Sequence, residues 1–170
     1  MKTVNFNYFI ILALIVSLNS FGQGVNLSVQ EVNDMKYMLE EEKLARDVYE
    51  YLDDKWNLRV FNNIKHSEQH HMDMVEYLLN TYKLSYKISD ERGVFYNEKL
   101  QKLYNELIEK GSKTEYDSFE VGKTIELVDI EDLEKANKLT TNSDINDVYS
   151  RLIFASNNHL QAFNRNLSRY

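Results

Sequence analysis

Ser67-Glu68-Gln69-His70-His71 carries a Glu-x-x-His spacing, Glu68 to His71, inside a stretch whose apolar residues recur at helical intervals. Residues three apart in a helix share a face, so both side chains can aim at one point. The apolar stripe around them runs Phe61, Ile64, Val75, Leu79 and Tyr82, and Glu68 and His71 occupy the gap that it leaves. Two side chains able to bind metal therefore face a core. The spacing alone also suits a pair that only hydrogen-bonds to itself, so its meaning depends on the other helices.

The composition is that of one helical domain. A chain of 170 residues with 43% hydrophobic and 28% charged content can bury a single sizeable core. It has no proline and only five glycines, which favours long helices over a sheet with many turns. A net charge of -7 argues against nucleic acid as a partner, because phosphate binders present a basic face. There is no cysteine, which excludes thiolate chemistry, disulfides and iron–sulfur ligation.

The N-terminus reads as an address. Lys2 is followed by the apolar run Tyr8 to Leu18, and Ser20-Phe21-Gly22 places small residues before a cut at Gln23. The run is shorter than the roughly 20 residues that span a bilayer. Residues 1–22 are thus expected to be a secretory signal, with a retained anchor as the alternative, and residues 23–170 an exported domain. That domain is expected to be periplasmic or secreted, with no membrane association after cleavage.

The first main helix is expected from the capping box Ser28-Val29-Gln30-Glu31 to about Lys55. Its inward stripe reads Val32, Met35, Leu39, Glu42, Ala45, Tyr49 and Leu52, which puts Glu42 on the core side. A salt bridge to Arg46 is the alternative role for Glu42. Glu40 and Glu41 read as a solvated acidic run, with Glu41 close enough to the stripe to be a second candidate ligand. The turn at Trp56-Asn57-Leu58 makes the next helix, about Val60 to Tyr82, an antiparallel neighbour. His66 and His70 lie on a different face from His71 and read as surface residues.

A long connection follows, Lys83 to about Lys113. It holds a short helical pattern, Leu100, Leu103, Leu107 and Ile108, with Gly111 as its stop; Leu84 to Tyr96 reads as irregular loop. The third main helix is expected to open at a second capping box, Ser112-Lys113-Thr114-Glu115. Its stripe is Phe119, Gly122, Glu126, Asp129 or Ile130, and Leu133. Gly122 permits close helix approach. The fourth runs from near Ser143 to about Leu167 with Ile145, Val148, Leu152, Ala155, His159, Phe163 and Leu167 inward.

Each main helix thus places acid or imidazole groups mid-stripe: Glu42; Glu68 with His71; Glu126 with Asp129; and His159. Four carboxylates buried together without a cation would repel strongly unless protonated or paired. A pair of dications removes that conflict, and oxygen and nitrogen ligands without sulfur suit iron, manganese or zinc.

Glu42-Lys43-Leu44-Ala45 followed by Tyr49 resembles the first-helix Glu-x-x-Ala-x-x-x-Tyr pattern of ferritins and rubrerythrins, and it selects Glu42 over Glu41. Glu68-x-x-His71 resembles their second-helix motif and Glu126 their third-helix acid. EEEKLARDVY, FNNIKHSEQHHMDMVEYLL, VGKTIELVDIEDL and SNNHLQAF together are similar to a bacterial and archaeal family of ferritin-like proteins known as a domain of unknown function, over nearly all of the chain after residue 22. The resemblance implies an all-α fold: a ferritin-like antiparallel four-helix bundle with a long crossover carrying an extra short helix. It also implies a metal centre of two irons or manganese ions, and it allows a homo-oligomer.

The departure is at Ser156, where a second Glu-x-x-His ending at His159 would have its acid. Asp129 is expected to supply the missing carboxylate. Three functions follow from these readings: a di-metal oxidoreductase acting on dioxygen or peroxide, an exported metal store, and a metal-free interaction domain whose acids pair with Arg46 and Lys65. In the first, Glu42 and Glu126 are terminal ligands, Glu68 bridges, and Tyr49 lies near the site as a donor.

Overall fold

The computed structural model describes residues 27–170, and these are all-helical: five α-helices and no strand among the described residues. The signal read over residues 1–22 lies outside them. No described helix is long and apolar enough to cross a membrane.

Helix α1, Val29–Trp56, begins at the Ser28 capping box, with both reciprocal bonds present. Its Glu31 also accepts from Thr140 Oγ1 and Asn142 Nδ2, each at 2.6 Å, so a local cap doubles as a tie to the far end of the fold. Asn57 closes α1 in a left-handed conformation that asparagine tolerates well, and α2, Arg59–Thr81, starts at once. So short a link makes the two antiparallel neighbours. Helix α3, Glu98–Gly111, is capped by Asn97, which accepts from the amides of Lys99 and Leu100. Helices α4, Glu115–Leu139, and α5, Ser143–Leu167, form the second close pair. Across the pairs, α1 packs on α4 and α2 on α5, while α3 lies over α1 and α4.

Two local expectations change, at the α4 cap and on the inward face of α5. The α4 cap is Thr114, whose Oγ1 accepts from the Asp117 amide, rather than Ser112: two overlapping boxes compete, and Ser112 instead ends α3. Gly111 is the last residue of α3, the stop expected of it. Its bare Cα lets α3 approach α1, since a Cβ there would lie 3.0 Å from Leu52 Cδ2. On α5 the inward residues include Tyr149 and Ser156, with Val148 and Ala155 only partly covered.

The larger change is in α1, where Glu40 and Glu41 are buried rather than solvated. The crossover folds back over this helix. Glu40 accepts from the Tyr96 amide at 2.7 Å and the Asn97 amide at 3.1 Å, compensating its burial. Lys43 and Asp47 form a fully buried ion pair. The Lys43 ammonium also donates to the Glu91 carbonyl at 3.0 Å and sits 4.5 Å from the centre of the Phe95 ring, and Asp47 accepts from the Gly93 amide at 2.9 Å.

The apolar interior divides in two. One cluster is aromatic, with Tyr49, Phe61, Phe119 and Phe163 in ring contact at centroid distances of 5.4 to 6.0 Å. The other is mainly aliphatic, built on Met35, Leu39, Val75, Leu79, Leu133, Tyr149 and Leu152. Along each long helix the polar inward residues fall between these two sets.

Candidate metal centre

Glu42 of α1, Glu68 and His71 of α2, Glu126 of α4 and His159 of α5 meet in this polar layer, all buried. The i, i+3 spacing brings Glu68 Oε2 to 2.8 Å from His71 Nδ1, on whose other side lies Glu42 Oε2 at 3.1 Å. His159 Nδ1 lies 2.9 Å from Glu68 Oε1 and 3.4 Å from Glu126 Oε2. Glu68 thus presents one oxygen to each imidazole. The result is two overlapping ligand groups, Glu42–Glu68–His71 and Glu68–Glu126–His159, each offering ligand atoms within 4.8 Å of one another.

Asp129 belongs to neither triad. It is buried beside them, with Glu42, Glu41 and Glu126 as its charged neighbours, and it faces the Ser156 hydroxyl, which donates to the Leu152 carbonyl at 3.0 Å. Of the two residues considered for this place on α4, Asp129 is the more buried and Ile130 only partly covered.

The surrounding side chains hold the ligands. Tyr49 Oη donates to Glu126 Oε1 at 2.6 Å. Gly122, one turn before Glu126, leaves room for the Phe163 ring, which a Cβ would meet at 2.4 Å. Sequence reasoning assigned no role to Ser67, one turn before His71 on the same face, yet its Oγ lies 3.0 Å from His159 Nε2 and 3.5 Å from His71 Nε2. With two lone pairs it can accept from both rings, which turns both Nδ1 atoms toward the carboxylates, where their protons would be given up to a bound cation. The i, i+4 spacing of Ser67 and His71 was the available signal.

Arg46 and Lys65 do not serve these acids. Arg46 engages Asp47 and Gln69, and Lys65 pairs with Asp53 at 2.6 Å. The described ion pairs bring no lysine or arginine to Glu42, Glu68, Glu126 or Asp129. His66 and His70 are exposed, as expected of surface residues.

The electrostatics of the protein alone are strained. Burial, followed by the carboxylate of Glu68, pushes Glu126 up to about 7. Burial outweighs the opposing pull of His71 to bring Glu42 also to about 7, and burial beside Glu42 and Glu41 holds Asp129 well above its ordinary value. Burial opposes the charged form of both imidazoles, yet Glu68 with Glu42 raises His71, and Glu126 with Glu68 raises His159. The cluster therefore retains protons that a cation would displace.

The donor set fits such a cation. Glu42 Oε1, Glu68 Oε1, Asp129 Oδ1 and His159 Nδ1 are buried without a hydrogen-bond partner. Glu68 Oε1 and His159 Nδ1 are near each other but misaligned for a hydrogen bond, as atoms aimed at a shared third point would be. Carboxylate oxygen and imidazole nitrogen without sulfur are ligands for a divalent ion of the iron, manganese or zinc type.

Known proteins are similar to this chain in sequence and fold. Uncharacterized protein MJ0754 of Methanocaldococcus jannaschii is 50% identical over 145 residues, which cover 85% of this chain and 78% of that protein. The crystal structure of hypothetical protein MJ0754 from Methanococcus jannaschii DSM 2661 superposes with a TM-score of 0.84 at 49% identity, covering 85% of this chain and 83% of that one. The family model described as Uncharacterized protein domain (DUF2202) matches residues 31–170, and the chain belongs to that family.

Proposed function

We propose that this chain is an exported, ferritin-like metal protein whose two-ion carboxylate–imidazole centre acts on dioxygen or peroxide. The observation that carries the reading is the convergence of Glu42, Glu68 and Glu126 on two imidazoles, with Asp129 buried beside them and no described ion pair from lysine or arginine to any of the four acids. Glu42 with His71 would hold one ion, Glu126 with His159 the other, and Glu68 would contact both, with Asp129 completing the second set in place of the acid absent at Ser156. Iron so held supplies electrons to an oxygen-based oxidant, and manganese could serve the same role.

The protein's own part is positioning and exclusion of water. Tyr49 fixes Glu126 through its hydroxyl. Ser67 turns both Nδ1 atoms inward. The two apolar clusters keep the layer dry, which strengthens each charge interaction within it. The apolar run Tyr8 to Leu18 supports export.

Elemental analysis of the purified protein beside Glu68→Ala and His71→Ala tests the reading. Two equivalents of a transition metal are expected in the unmutated chain, near none in Glu68→Ala and one in His71→Ala. A metal-free unmutated chain that also fails to bind added iron, manganese or zinc overturns it. Peroxide consumption by the iron-loaded protein then separates turnover from storage.

A further inference from the structure

Between the start of α1 and the end of α4 lies a cavity of about 250 Å³, bordered by Asp34 and Tyr37 on one side and Asp132 and Lys135 on the other. We propose that this cavity is where a divalent cation enters, and that Glu41, reached past Tyr37, is a transit ligand that passes the ion to Glu42 and Asp129. The inference rests on reading the buried layer as a metal centre.

Three observations place the route. Tyr37 lines the cavity and its hydroxyl donates to Glu41 Oε1 at 3.4 Å, so this side chain links the cavity wall to the carboxyl. Behind it, Glu41 is 5% exposed and its Oε2 is buried without a hydrogen-bond partner; Asp129, also 5% exposed, has Oδ1 in the same condition. A buried carboxyl oxygen with no partner is unfavourable, so a residue kept in that state needs an occasional partner. Finally, the acids are in series. Asp132 and Glu42 are the charged neighbours of Glu41, and Glu42, Glu41 and Glu126 those of Asp129.

Lysines act only at the outer end. Lys99 and Lys135 line the cavity, making its wall mixed in charge, while the groups inward of Tyr37 are acidic and include no described ion pair to lysine or arginine. A cation that enters therefore meets a succession of carboxyl groups able to exchange their protons for it. Oxygen ligands alone suit a hard or borderline divalent ion, the same class that the centre would hold.

The test is the rate of cobalt(II) uptake by the metal-free full chain, followed by visible absorption in stopped flow, with the final stoichiometry from equilibrium dialysis. Glu41→Gln and Asp132→Asn are each expected to slow uptake by about tenfold or more while leaving the endpoint at two ions, as loss of electrostatic steering predicts. Glu50→Gln, beside the separate opening lined by Arg46 and Lys65, should leave the rate unchanged. Asp132 is only half-buried, so its variant decides the matter even if Glu41→Gln folds poorly. An unchanged rate in Asp132→Asn, or equal slowing by Glu50→Gln, overturns the route. An endpoint of two ions with unaltered kinetics leaves the centre intact and removes only the entry; absence of any cobalt uptake removes both.

Discussion

The rings of His71 and His159 lie nearly parallel, 5.5 Å apart between centroids and 20° between planes, and the single carboxylate of Glu68 reaches Nδ1 of each. Two imidazoles brought this close on different helices share one acid, so the two ligand groups cannot be independent. Removing Glu68 should differ in kind from removing either histidine.

Glu68→Ala is accordingly expected to lower bound metal from two equivalents to near none, whereas His159→Ala should leave one ion on Glu42, Glu68 and His71. Stoichiometry by elemental analysis distinguishes them. One retained equivalent in Glu68→Ala would show that the groups do not share this ligand.

Asp129 stands beside both triads with a bare oxygen, close to the position that Ser156 leaves without an acid. Asp129→Ala should reduce the metal count below two, with the loss confined to the Glu126–His159 side. An unchanged count at saturating metal would make this residue a neighbour and nothing more.

Tyr49→Phe keeps the ring packed against Phe61 and Phe163 and removes only the hydroxyl that holds Glu126. Affinity for the more weakly held ion should fall roughly 10- to 100-fold, the usual effect of losing a group that orients a ligand. Competition with a chelator of known affinity measures it. Equal affinity in both proteins would assign the hydroxyl to packing alone.

The metal-free protein should lose stability as pH rises from about 4.5 to 8. Over that interval Glu42, Glu126 and Glu41, raised to about 7, 7 and 8, hold protons in the folded state that the unfolded chain releases. The raised imidazoles act in the same direction above their ordinary value near 6.5, because their folded charge is lost only at higher pH. With metal bound the slope should reverse, since deprotonation favours ligation. Denaturant titrations of both forms at pH 5, 6.5 and 8 read this directly. Parallel slopes in the two forms would contradict it.

Gly122→Ala places a methyl group 2.4 Å from the Phe163 ring, inside the aromatic cluster. Ring and helix must both shift, and overpacking of this kind costs about 1–3 kcal/mol. Thermal denaturation should record a drop of several degrees at least. A variant as stable as the parent would mean that Phe163 has a second accessible position.

What was legible in the sequence was whatever depends on spacing along one helix. The Ser28–Glu31 box announces the start of α1 because both of its hydrogen bonds are local, and Glu68 with His71 announces a face because a helix repeats every 3.6 residues. The approach of Glu42, Glu126 and His159 followed from the same periodicity, once each was seen to interrupt an apolar stripe. Glu40 and Glu41 were misread for the opposite reason: what buries them is α3, α4 and the crossover, which are distant in sequence. Ser67 and Lys43 likewise take their partners from other segments, His159 and the Glu91 carbonyl. Periodicity describes one helix against an unspecified core and is silent about a second layer on its outer side.

That outer layer has a kinetic consequence. From Met38 to Tyr49, α1 is covered on nearly every side, by α2 and α4 inward and by α3 with the crossover outward. Its amides there should exchange with solvent only when the whole molecule opens, placing the ligand Glu42 in the slowest-exchanging segment. Passage of an ion to or from the interior must then come from rotation of side chains such as Tyr37, since unwinding α1 would be as rare as unfolding. A cation once seated would leave at a rate set by its ligands and by such rotations, and release should be insensitive to global unfolding.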